Sequence, residues 1–202
     1  MSGLIPDAAL LSAQVIMGLY LADFLSGIFH WLEDRYGDPN WPIIGHTIRQ
    51  NQEHHVTPRK FLNGTLWTRN REVWMIAASF LAIFAVMGWL NPLTVSMVVF
   101  GSVANEVHGR AHRSPKENGR LITWLQSTGF IQSHRHHAAH HRRCKDTHFC
   151  VLTNHVNPVL EWLGFFPTLE KLIFCLTGSQ PRPDPSVNPR YAALRRRHLS
   201  GT

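Results

Sequence analysis

The sequence predicts an all-α fold, an integral membrane helical bundle with a histidine-rich cap on its cytoplasmic side. Three observations predict it. Apolar blocks of helical length recur along the chain, with few charges inside them. The 14 histidines outnumber the 13 acidic residues, which is far outside ordinary usage. Every dense histidine motif falls beside a boundary of an apolar block, on the side where Lys and Arg collect.

At 202 residues the chain is long enough for one domain with a proper core. A net charge of +7 and a pI near 9.9 favour an anionic partner, either nucleic acid or lipid head groups. No nucleic-acid recognition motif accompanies the charge, so the membrane is preferred and nucleic acid is not expected as a partner. Cys144, Cys150 and Cys175 form no CxxC pair, which speaks against a disulfide framework or a redox dithiol.

The first span is expected near residues 8–31. It lacks a basic leader and a small-residue cleavage site, so it reads as a retained anchor. Asp23, His30 and Asp34 share one face of it, and ionisable groups in a span face a functional interior. Basic residues begin only at Arg35, which turns the following segment toward the cytoplasm. That segment carries Asn51, His54 and His55 at i, i+3, i+4.

Spans near 73–90 and 93–107, joined by Asn91-Pro92, read as a hairpin that returns to the same side. The second arm leads into NEVHGRAH, with His108 and His112 four apart and Asn105 one turn earlier. Interfacial helices are expected at 121–131 and 158–176, the first rich in Trp124 and Phe130 and the second interrupted by Pro167. Residues 1–180 thus form one membrane domain, and 181–202 a flexible basic tail.

The run HRHHAAHH at 134–141 is the densest motif. As a helix it pairs His136 with His140 and His137 with His141, on two faces about 100° apart, so that one helix serves two metal ions. Imidazole suits zinc, copper, iron and nickel rather than calcium or magnesium. Candidate ligands are His30, His54, His55, His108, His112, His136, His137, His140 and His141, more than a single zinc site needs. Asp23, Asp34, Glu53 and Glu106 are expected to orient imidazoles through their second nitrogen.

Histidine-rich sites beside lipid point to oxygen chemistry by iron. An unactivated C–H bond offers neither an acidic proton nor a leaving group, so a strongly oxidising metal site is required. His137, His140 and His141 are the expected catalytic residues, and Arg59, Lys60, Arg110 and Arg113 are candidates to hold a lipid phosphate. Trp67 and Trp124 read as interface anchors. A non-catalytic transition-metal-binding membrane protein is the rival from another class.

The order of His30-Trp31, Glu53-His54-His55, NEVHGRAH, HHAAHH and the DTHFC of 146–150 resembles the Kua/CarF family of lipid desaturases. The likeness runs from about Ala22 to Pro183. The family includes enzymes of plasmalogen formation and a plastid branch that places a trans double bond in the palmitoyl chain of phosphatidylglycerol. What the resemblance implies is a membrane-bound enzyme with two iron ions, using O2 and an external electron donor that is cytochrome b5-like or ferredoxin-like. Its substrate would be a phospholipid, with either the 1-O-alkyl chain of plasmanylethanolamine converted to a vinyl ether or an acyl chain desaturated or hydroxylated. The nine histidines fall on the family's motif positions, whereas His46, His134, His148, His155 and His198 lie outside them. The expected location is the bacterial inner membrane or endoplasmic reticulum, with the site facing the cytoplasm.

Overall fold

A computed structural model describes residues 4–142 and 147–183. Cys144, Asp146, His198 and the tail from 184 onward lie outside the described residues. The described chain is helical, without a β-strand.

The first helix, α1 (Leu4–Arg35), is 32 residues long, about 48 Å at 1.5 Å per residue. Its Asp7–Arg35 stretch is the one described helix long and apolar enough to cross a membrane. A short helix, α2 (Gly45–His54), forms inside the breaker-rich connection. A 3-10 turn at Lys60–Asn63 then leads to α3 (Leu66–Val86).

The other two expected spans are shorter than their apolar blocks suggested. α3 opens with Arg69, Arg71 and Glu72, leaving Val73 to Val86 as an apolar rod of about 21 Å against a hydrocarbon core of about 30 Å. Its partner α4 (Pro92–Ser102) has 11 residues and is started by an Asn91–Thr94 capping box. Val103 breaks the second arm, which resumes as α5 (Ala104–Ala111). Arg69 forks onto both oxygens of Glu106 at 2.9 and 3.2 Å, and Asn105 donates to the Arg69 carbonyl at 2.6 Å, so the base of α3 fixes α5.

The rest is compact punctuation around that frame. α6 (Pro115–Ser127) starts at a Ser114–Glu117 capping box, and α7 (His134–Arg142) carries the histidine run. The expected helix at 158–176 is two helices, α8 (Val156–Trp162) and α9 (Phe165–Thr177). They part at Gly164, whose φ of 59° only glycine adopts freely, whereas Pro167 sits within the first turn of α9, where its missing N–H costs nothing. Trp162, Leu172, Phe174 and Leu176 stay exposed on this pair, as Trp67 and Trp124 do on α3 and α6.

Two apolar clusters hold the bundle. Leu19, Ala22, Met97 and Ala104 meet Val151 and Leu152 in one; Trp31, Leu160 and Phe166 meet Phe149 and Cys150 in the other. A single non-helical segment, 149–153, therefore belongs to both. Its backbone polar groups are buried and must be satisfied. Asp23 accepts the Leu152 and Thr153 amides at 2.7 and 3.0 Å and the Thr153 hydroxyl at 2.6 Å. Gln132 and Asn157 donate to the Cys150 carbonyl at 2.6 and 2.8 Å. Asp23, expected to orient an imidazole, clamps this segment to α1 instead.

Replacing Asp23 with Ala strands three buried donors, each worth about 1–3 kcal/mol. The variant is expected to lose on the order of 3 kcal/mol or more of stability, seen as a lower unfolding temperature of the purified protein in detergent.

Candidate metal centre

Two groups of side chains, all buried but the half-buried His141, converge between α1, α2, α5 and α7. His54, His108, His112, His137 and His141 form one; His30, Asp34, His55 and His140 form the other. Within each group the candidate ligand atoms all lie within 4.8 Å of one another. The groups abut, with ring centroids 5.1 Å apart for His55 and His141 and 5.4 Å for His140 and His141.

In the five-histidine group the ε nitrogens face each other. His108 Nε2 lies 3.0 Å from those of His54 and His137 and 3.2 Å from that of His112, and His141 Nε2 lies 2.9 Å from His137 Nε2. A neutral imidazole carries one N–H, so His108 cannot satisfy three such neighbours by hydrogen bonding. Nitrogens each about 2.1 Å from one ion and at right angles lie about 3.0 Å apart. The spacing is thus that of a ligand cage. Burial, reinforced by repulsion among the rings, holds His54, His108, His137 and His141 well below the ordinary histidine range and takes His112 down to about 3. The rings are neutral at physiological pH, the state in which imidazole ligates metal.

The second group is mixed. His55 Nε2 lies 2.8 and 2.9 Å from the two Asp34 oxygens, with the ε nitrogens of His140 and His30 at 3.4 and 3.5 Å. The outer nitrogen of His30 meets the Phe149 carbonyl at 3.0 Å, and that of His140 meets the Thr147 carbonyl at 2.7 Å. Those carbonyls fix the tautomer, because only an N–H can face them, so Nε2 of each ring presents its lone pair inward. Both inward nitrogens are buried without a hydrogen-bond partner. The residues present fit a metal in each group.

Eight of the nine sequence-predicted histidines are brought together, and His136 is not. On α7 the positions 137, 140 and 141 form one stripe at i, i+3, i+4, while His136 falls off it by about 100°. Its Nε2 meets the Asn157 side chain at 3.1 Å and its ring packs against His148 at 4.7 Å. The expected two faces, 136 with 140 and 137 with 141, are therefore corrected to one stripe shared by two groups.

Asp34 was expected only to orient an imidazole; it lies among the converging atoms, and Asn51 donates to it at 2.8 Å. The signal was its i,i+4 spacing from His30. Glu53 and Glu106, expected in the same orienting role, pair with Lys60 and Arg69 instead. Arg59, a candidate for lipid phosphate, is taken up by Glu117 at 2.5 Å and by the His112 carbonyl at 3.0 Å.

A cleft of about 380 Å³ opens onto both groups, with His30, His54 and His108 in its wall. Its lining changes character along its length. Glu33, Lys60, Arg69 and Glu72 stand at one end; Leu25, Ile76, Phe80 and Met97 line the other. The histidines lie toward the polar end, His30 being one helical turn from Glu33.

A profile of the lipid desaturase domain matches residues 19–184. The chain belongs to the lipid desaturase family. Similar relatives of the family include a probable fatty acid desaturase of Acanthamoeba polyphaga mimivirus, 34% identical over 174 residues, 84% of this chain and 85% of the relative. Plasmanylethanolamine desaturase 1 of Mus musculus is 32% identical over 84% of this chain and 67% of its own length. Plasmanylethanolamine desaturase of Myxococcus xanthus is 31% identical over 87% of this chain and 64% of its own length. No solved structure matches. For a lipid desaturase, buried histidine groups beside an amphipathic cleft are the expected combination of metal centre and lipid site.

Two outcomes follow for metal content and acid stability. Replacing His112 or His141, or separately Asp34 or His140, with Ala is expected to lower bound metal from two equivalents toward one, whereas His136→Ala keeps both; elemental analysis of the purified protein reads this. The chelated protein is expected to lose stability as pH falls. The unfolded chain takes up protons below about 6.5, while buried His112 resists until about 3, so acid favours the unfolded state across that window. Unfolding temperatures at pH 7.5 and 5.5 check the sign.

Proposed function

We propose that this chain is an O2-dependent, di-iron lipid desaturase of a membrane, acting on the 1-O-alkyl chain of an ether phospholipid such as plasmanylethanolamine and forming a vinyl ether. The observation that carries the proposal is the place of the imidazole groups along the cleft. His30 lies one helical turn from Glu33 at the polar end, so a lipid held by its head group there presents its first chain carbons to the histidines, with the remaining chain in the apolar end. Relatives from mouse and Myxococcus xanthus bear the name plasmanylethanolamine desaturase, which supports the ether substrate.

The overall change removes one hydrogen from each of two adjacent carbons. With O2, two electrons and two protons, it yields the alkene and two waters. The electrons come from an external one-electron carrier of the cytochrome b5 or ferredoxin class. Iron held by the two groups would supply the dioxygen reduction that an unactivated C–H bond requires.

The chain's own residues prepare the site. Phe149 and Thr147 carbonyls hold His30 and His140 with their inner nitrogens forward. Leu25, Phe29 and Val73 line the cleft and would keep water from the reacting carbons, and a phosphate at the polar end would compete with Glu53 for Lys60. The exposed apolar side chains of α1, α3 and α9 suit a lipid environment, and the Lys and Arg bias favours a cytoplasm-facing site.

Acyl-chain desaturation is the second reading, favoured by the mimivirus relative's name. Expression in a host with alkyl ether lipids, followed by whole-lipid mass spectrometry, separates them. Acid-labile vinyl ethers are expected with the wild-type chain and not with His137→Ala. New acyl unsaturation without vinyl ether selects the second reading. Stoichiometric zinc with neither product nor O2 consumption would leave metal binding alone.

A further inference from the structure

The cleft continues well past the histidines into a region with no polar chemistry to perform. On α1 its wall runs from His30 through Ser26 and Leu25 to Ala22, about 12 Å of helix. Facing it on α3 are Val73, Ala77 and Phe80. The third wall steps along α4 and α5 through Met97, Gly101, Ala104 and His108, all of which line the cleft.

The slot is open because residues at its waist are small: Ala22, Ala77, Gly101 and Ala104. A Cβ built on Gly101 would meet no heavy atom within 4 Å, so that position looks into free space. At the far end two of the walls meet. α1 and α4 touch backbone to backbone at Gly18, where a Cβ would come within 2.6 Å of the Leu93 carbonyl and collide with Ser96. Just before that crossing, Met97 lies in the buried cluster of Leu19 and Ala22, and Phe80 packs on the same cluster.

We infer that this slot is a chain-length gauge: the hydrocarbon chain of the lipid runs from the histidines toward Phe80 and Met97, and these two side chains set the longest chain admitted. The inference rests on the lipid-desaturase reading of the cleft and adds to it the residues that select among lipids. Each methylene that fits gains by leaving water, and one that meets Phe80 or Met97 must bend back or displace a packed side chain. Gly101 governs the width at mid-slot. A larger side chain there blocks the passage without disturbing the fold, since nothing occupies the space.

The test uses the full chain, expressed in a host supplied with alkyl lipids of graded chain length. Two distributions are read: the chain lengths of the desaturated product, and those of the lipid that co-purifies with the protein. Gly101→Leu is expected to move both toward shorter chains and to cut the share of the longest wild-type chain by roughly tenfold. Met97→Ala is expected to move both toward longer chains. Gly101→Ala, which adds one methyl group and favours helix, and Phe80→Leu give smaller shifts in the same two directions and cover the case in which a larger change unfolds the protein.

Distributions that coincide with wild type in the folded variants overturn the gauge, and the desaturase reading survives if the wild type still makes product. Shifted bound-lipid profiles with no product from any chain, wild type included, uphold the gauge and overturn the desaturase reading. Wild-type protein that retains no lipid and makes no product overturns both.

Discussion

Five imidazole nitrogens turned toward one another inside a protein are a costly arrangement unless something positive sits among them. Each lone pair left without a proton or an ion forfeits the hydrogen bonds it would have in water, and the His108 nitrogen has three such neighbours at about hydrogen-bond distance. Protonating the rings does not relieve this, because burial and mutual repulsion oppose every added charge. The helices around the site therefore hold an arrangement whose natural completion is a cation. Packing elsewhere supplies the stability to hold it: the Arg69–Glu106 fork, the Asp23 clamp and the two apolar clusters all lie one step outside the rings.

The convergence of the histidines was legible where helical spacing alone decides who faces whom. His108 with His112 and His137 with His141 are i,i+4 pairs, and each pair enters one group together. Spacing could not say which stripe of α7 faces inward, because HRHHAAHH offers two stripes of equal chemical quality. Tertiary packing chose: the 137–140–141 stripe faces α1 and α5, and His136 is left to Asn157 on α8. His54 and His55 go to different groups because consecutive residues on a helical backbone, which His55 continues, point about 100° apart. Helix existence was legible from apolar pattern except at α2, which forms inside the breaker-rich connection; helix length was not, since Val103 and Gly164 break segments whose hydrophobicity runs on.

α1 joins the three tasks of the fold. Its outer surface is apolar and exposed at Leu10, Ile16 and Met17, its inner face lines the cleft, and its end supplies His30 and Asp34. One rigid helix thus fixes the offset between the metal groups and the depth of the apolar slot. On a flexible connection the same residues would let that offset wander.

The segment at 149–153 is what makes that rigidity reach the chemistry. It has no helix of its own, so its backbone groups must find partners one at a time: Asp23, Ser26, Gln132 and Asn157 provide them. With the segment tied to α1 and α8, the Phe149 carbonyl falls on the outer nitrogen of His30. An imidazole held only by packing could swing about χ2, but one hydrogen-bonded to a fully anchored carbonyl keeps both its tautomer and its aim. The buried carboxylate at Asp23, two turns from His30, thus sets the direction of an inward-facing lone pair through five residues of backbone.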